Sequence, residues 1–119
     1  LHPDGRTLYA VNETTERAGK PSGGVTALRV TRGSGALATV NEVASEGGAP
    51  CYASVTRDGR TVLVANYVGG NVSAFAVGKD GALSAAADVE RHSGATGPHR
   101  ERQEAAHAHC IRPDPTGKW

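Results

Sequence analysis

The chain repeats itself, and the repeat constrains its fold more than any other feature. Asp4-Gly5-Arg6-Thr7 and four apolar or aromatic residues lead to Asn12; the same pattern returns 54 residues later as Asp58-Gly59-Arg60-Thr61 leading to Asn66. Gly24–Val30 returns as Asn71–Val77, 47 residues on, and Gly35-Ala36-Leu37 returns as Gly81-Ala82-Leu83, 46 residues on. A third copy opens at Ile111-Arg112-Pro113-Asp114. The unit is therefore about 45–55 residues, a period typical of repeat architectures. The change of spacing puts the extra residues in segment 13–23, longer than its counterpart 67–70. Insertions of that kind belong in surface loops.

Within a unit the pattern is that of short strands. The second copy predicts strands near 51–56, 61–67, 71–77 and 83–91. Asp58-Gly59, Gly69-Gly70 and Asp80-Gly81 separate them, and such pairs favour hairpin turns because those turns need positive φ. Val62-Leu63-Val64-Ala65 is continuously apolar, as expected of a strand covered on both faces. Four-stranded antiparallel units of this length, covered on both faces, describe an all-β fold, the β-propeller. A two-sheet sandwich is the competing architecture, and the long identity between copies speaks against it. Blade-like repeats fall at about 1–46 and 47–93, a loop at 93–106, and the start of a further blade at 107–119. Propellers close with about four to eight blades. Two are too few, so the chain reads as part of a longer propeller, with apolar blade faces bare at both ends. It has no Met, begins beside one turn and stops just after another, which fits the same expectation.

Composition limits the partners. Thirteen Lys and Arg against 12 Asp and Glu leave a net charge of +1, with no general attraction to nucleic acid or to an anionic membrane surface. No apolar run is long enough to span a bilayer. The two cysteines, Cys51 and Cys110, have no spacing that favours a bridge; they read as buried thiols of a cytoplasmic protein.

Few residues carry chemistry. On a strand over 107–112, His107 and His109 would share a face. Such a pair suits proton transfer or, given a third ligand, a metal, and His92 or His99 would have to fold back to supply one. The bland alternative is a pair of structural histidines. The loop before them carries Arg102 and Glu104. Arg102 presents a rigid fork to phosphate or carboxylate. Glu104 has the reach to orient His107, to pair with Arg102, or to sit in solvent. Asn12-Glu13 and Asn66-Tyr67 end equivalent strands on one rim. The repeated asparagines read as strand-end caps. Glu13 and Tyr67 differ between copies and so are candidates to contact a ligand. The glycine pairs lack the Lys-Ser/Thr of a phosphate loop and read as turns.

The Gly-His and Trp-Asp signatures of one common propeller class are absent. The detailed pattern resembles the seven-bladed β-propeller lactonase family, which includes propeller-type 6-phosphogluconolactonases. The stretches that carry the resemblance are Asp4 to Glu13, Gly48-Ala49-Pro50-Cys51, Val64 to Val72, and Arg91-His92-Ser93-Gly94. Most specific is Arg102-Gln103-Glu104-Ala105-Ala106-His107-Ala108-His109 ahead of the turn at Pro113-Asp114. The resemblance implies a seven-bladed parent and hydrolysis of a sugar-phosphate lactone, 6-phospho-D-glucono-1,5-lactone, in the pentose phosphate pathway in the cytoplasm. It implies no cofactor and no metal. It tilts His107 toward a catalytic role; the residue reading adds Glu104 to catalysis and Arg102, His109, Glu13 and Tyr67 to substrate binding. A lactonizing muconate cycloisomerase and a non-catalytic binding propeller remain the alternatives.

Overall fold

A computed structural model describes residues 1–117 of the chain. Seven strands form: β1 (Thr7–Asn12), β2 (Gly24–Val30), β3 (Leu37–Ala44), β4 (Pro50–Val55), β5 (Thr61–Asn66), β6 (Asn71–Val77) and β7 (Leu83–Arg91). They make two antiparallel sheets, one in the order β1-β2-β3 and one in the order β4-β5-β6-β7. No helix occurs among the described residues. The chain is thus a consecutive part of a propeller, blade following blade.

The second sheet follows the sequence expectation closely. Gly59 and Gly81 take φ of 73° and 82° at the Asp-Gly turns, where a residue with a Cβ would be strained. The first sheet has three strands where a four-stranded unit was expected. The register explains this. β1 is the repeat equivalent of β5, so a counterpart of β4 would precede Asp4, where only residues 1–3 stand.

The core lies between the sheets. Tyr9, Val25 and Ala27 of the first sheet pack against Val62, Val64, Phe75 and Leu83 of the second. Alternation places them together: Tyr9 faces Ala27 across its pair of strands, and Val62 faces Phe75 across its own. Phe75 is wholly buried. Burying one such side chain contributes about 1.5–3 kcal/mol. Polar links cross the same seam. Tyr9 Oη donates to Gly81 O at 3.0 Å. Asn41 donates from Nδ2 to Leu83 O at 2.8 Å and accepts from Leu83 N at 3.0 Å. Arg29 reaches the carbonyl of Asp80.

Three further expectations differ from the structure. Residues 107–112 form no assigned strand, because the sheet they would belong to has no other members among the described residues. They run beside β4 instead, where Ser54 Oγ donates to Ile111 O at 2.7 Å. Cys110 is exposed, not buried; Cys51 is half-buried, and both are free thiols. The bare apolar faces are also small. Only Leu1, Leu37 and Val68 are large, hydrophobic and exposed among the described residues. The row Ser54, Leu63 and Ala74 on the outer face of the second sheet is half-buried, because two of its members are small and segment 107–112 covers one end. Residues 118–119 of the expected segment 107–119 lie outside the described residues.

Candidate active site

One rim of the two sheets is held by a knot of short polar residues. Asn66 Nδ2 donates to Ser45 O at 3.0 Å and to Ser73 Oγ at 3.3 Å. Ser73 Oγ donates to Ser45 O at 2.7 Å. In the first sheet Asn12 Nδ2 makes the equivalent bond, to Thr26 Oγ1 at 3.0 Å. The repeated asparagines therefore tie strand ends, as the repeat suggested. Asn66 and Asn71 are fully buried. A Cβ on Gly47 or Gly69 would overlap Asn71 Oδ1, so only glycine lets these chains close around it.

The turn after β5 leaves this knot and carries Tyr67. Its backbone N–H donates to Ala49 O at 2.9 Å, and its carbonyl accepts from Gly70 N at 3.3 Å. Gly70 has φ of 58°, and a Cβ there would collide with the carbonyl oxygen of Ala106. The absence of a side chain at Gly70 brings segment 106–109 against the turn. That contact delivers His107.

Both ring nitrogens of His107 are engaged. Nδ1 lies 2.9 Å from Tyr67 O, a carbonyl that can only accept, so Nδ1 carries the proton of that bond. Nε2 lies 3.0 Å from Glu104 Oε1. The imidazole stacks on the Tyr67 ring, with centroids 4.4 Å apart and planes at 11°. His109 meets the same Tyr67 ring edge-on, at 5.7 Å and 88°. The His107 side chain is 15% exposed and Glu104 is 52% exposed, so the working side of Nε2 opens outward past the carboxylate. The Glu104 carboxyl is held below the usual carboxylate range, first by its own backbone N–H and then by His107. It is ionised at neutral pH.

Of the six expected site residues, the structure brings four together: Tyr67, Glu104, His107 and His109. The other two stand apart. Arg102 is exposed, and its backbone N–H closes a turn on His99 O at 3.2 Å. Glu13 is exposed at the end of its turn, and its carboxylate acts on Cys51. No three His, Cys, Asp or Glu side chains converge as a metal site among the described residues.

Cys51 was not singled out from the sequence as a site neighbour. It is the unpaired residue of a bulge in β4, between Pro50 and Tyr52. Its Sγ lies 3.7 Å from the carbonyls of Ala65, Ala108 and His109. Burial pushes the thiol upward and the Glu13 carboxylate adds to this, which favours the neutral thiol. The signal that could have found it is the repeat itself, since Cys51 holds the position before Asp58 that His107 holds before Asp114. The other missed feature is the Tyr67 carbonyl, which no residue-type pattern reveals.

Two clefts lie elsewhere. One of about 560 Å³ is lined by Thr56, Asp58, Leu63, Asp114 and their neighbours, at the opposite rim. One of about 430 Å³ sits among Arg17, Lys20, Glu46 and Arg91. Neither includes His107. No helix among the described residues is long and apolar enough to cross a membrane.

Comparison with known proteins agrees with this fold. The model of a family described as lactonase, seven-bladed β-propeller, matches residues 1–119. A 6-phosphogluconolactonase of Bacillus subtilis is 41% identical over 87 residues, covering 73% of this chain and 24% of that protein. The crystal structure of a 6-phosphogluconolactonase candidate from Bacteroides fragilis superposes with a TM-score of 0.88 at 37% identity, over 98% of this chain and 31% of that one. A periplasmic gluconolactonase of Pseudomonas aeruginosa superposes with a TM-score of 0.85 at 35% identity, over 99% of this chain and 33% of that one. The chain spans about a quarter to a third of the length of these relatives.

Proposed function

This chain belongs to the seven-bladed β-propeller lactonase family, and from that premise we propose that it forms part of a lactonase opening 6-phospho-D-glucono-1,5-lactone to 6-phosphogluconate, a step of the pentose phosphate pathway. Residues 1–46 and 47–93 are then its blade repeats, 93–106 the loop above the seam, and 107–119 the opening of the next blade. The observation that carries the reading is the bond between His107 Nδ1 and the Tyr67 carbonyl. It commits one ring proton to Nδ1, so a neutral His107 carries its lone pair on Nε2, which meets a reactant when the exposed Glu104 carboxylate stands aside.

The chemistry follows. A water beside Nε2 attacks the lactone carbonyl and gives its proton to Nε2 as the new C–O bond forms. Glu104 holds the ring once it carries both protons. The tetrahedral intermediate collapses, the ring C–O bond breaks, and the leaving oxygen takes the proton back from Nε2. The product acid ionises, so each turnover releases one proton. Arg102 binds the phosphate, and His109 and Glu13 contact the sugar. The reading places the reaction in the cytoplasm, where the free thiols of Cys51 and Cys110 persist reduced; the periplasmic Pseudomonas relative shows the other setting the fold accepts.

The test follows acid release from 6-phosphogluconolactone, corrected for spontaneous hydrolysis, in the full propeller. Replacing His107 by Ala is expected to lower kcat by about 10²–10⁴-fold. Unchanged turnover overturns the assignment of the base. Turnover of a carboxymuconate in place of the lactone reassigns the protein as a cycloisomerase.

A further inference from the structure

We propose that Tyr67 is the positioning residue of His107, acting through its ring face and its carbonyl and not through its hydroxyl. The inference rests on the lactonase reading above and says how its base is held.

Two contacts from one residue fix the imidazole. The carbonyl, 2.9 Å from Nδ1, sets which way the ring points within its plane. The stacked phenol, 4.4 Å away and 11° from parallel, sets the plane. With both fixed, the direction of Nε2 is determined. Tyr67 is itself clamped. Its N–H is bound to Ala49 O, its carbonyl to Gly70 N, and its ring meets His109 at right angles. The Tyr67 hydroxyl makes no hydrogen bond among the described residues, so the ring does not owe its place to the phenol oxygen.

The repeat shows that an aromatic residue is not needed there to fold the blade. The position equivalent to Tyr67 in the first unit is Glu13, and the position equivalent to His107 is Cys51. Both members of the pair change together between the units, while the strand that leads into Glu13 or Tyr67 keeps its length. Tyr67 thus answers to His107, not to the sheet.

The chemistry gives the stack a direction. The face of an aromatic ring carries negative electrostatic potential and attracts a cation above it. The imidazole is neutral before the water attacks and cationic while it holds the extra proton. The groups that face it are the Glu104 carboxylate, the Tyr67 carbonyl and the Tyr67 ring; His109 touches Tyr67 and not His107. Each can stabilise the positive charge that develops on the ring during the attack, and the stack does so without touching substrate. Loss of the ring therefore affects kcat and spares KM.

The experiment compares Tyr67→Phe and Tyr67→Leu in the full propeller, with two readouts. The first is the proton NMR of His107, assigned through His107→Ala. The ring current of a stacked phenol moves its carbon-bound protons upfield. The inference expects that shift in the wild type and in Tyr67→Phe and its loss in Tyr67→Leu. The second is lactone hydrolysis. Tyr67→Phe is expected to lose less than about 2-fold in kcat, and Tyr67→Leu about 3- to 10-fold at unchanged KM. A Tyr67→Phe variant as impaired as Tyr67→Leu assigns the work to the hydroxyl and overturns the inference. A rise in KM alone makes Tyr67 a substrate contact and also overturns it. No ring-current shift in the wild type removes the stack itself. If the wild type hydrolyses no lactone while the shift follows the ring as expected, the function is wrong and the positioning of His107 stands.

Discussion

Asn71 shows how strongly one side chain can specify its neighbours. Its amide is fully buried, and the space around its oxygen is filled by the α-carbons of Gly47 and Gly69. Gly47→Ala places a methyl group on Asn71 Oδ1 and 2.6 Å from Asn66 Cβ. Overpacking of that kind costs about 1–3 kcal/mol, so a denaturant midpoint well below the wild type is expected. At the rim that carries His107, Gly70→Ala is expected to push Ala106 outward and unseat His107; on the proposed function, lactone turnover by the full propeller falls while the melting temperature changes little. The sequence made the strand-end asparagines legible, because both copies of the repeat carry them. It also marked Tyr67, Glu104, His107 and His109 as candidates. The Glu104–His107 contact was among its readings; it left illegible that Tyr67 joins them, since that meeting depends on a backbone carbonyl and on a glycine admitting a backbone oxygen.

At the scale of elements, β1 and β7 are joined by a phenol. Tyr9 Oη donates to Gly81 O in the turn before β7. Burial raises the Tyr9 phenol above its ordinary 10.0, with the Asp4 charge adding. A group raised on folding contributes stability that is complete below its unfolded value and lost as pH rises through the folded one. The hydrogen bond is therefore intact at neutral pH and lost in alkali. Tyr9→Phe is expected to cost about 1 kcal/mol at pH 7. Thermal melts between pH 8 and 11 should show the gap between wild type and variant narrowing above about pH 10. Element boundaries were legible where turns have strong chemistry: β6 and β7 begin and end where the sequence put them. The bulge at Cys51 was not, because one extra residue in a strand leaves the apolar pattern around it almost unchanged.

Over the whole molecule, the two sheets meet through an apolar core and a few polar bridges. Asn41 in β3 grips both backbone groups of Leu83 in β7. Asn41→Ala removes both bonds at once and is expected to cost about 1–3 kcal/mol. Hydrogen exchange at the Leu83 amide should accelerate accordingly, before exchange in β5, which lies deeper. The propeller architecture was legible from the period of the repeat. The three-stranded first sheet was legible too, since Asp4 aligns with Asp58, which follows β4 and does not precede it. Counting repeats without fixing their phase hid the difference.

The pair Glu13 and Cys51 occupies in one unit the stations that Tyr67 and His107 occupy in the next. These stations lie at strand ends, outside the row of Val62, Val64 and Phe75 that holds the sheets together. A lineage built by duplicating such a unit inherits the same socket many times over. Selection can refit one socket while the rest of the ring goes on folding as before, and a new chemistry can arise beside an old one without the scaffold being reinvented.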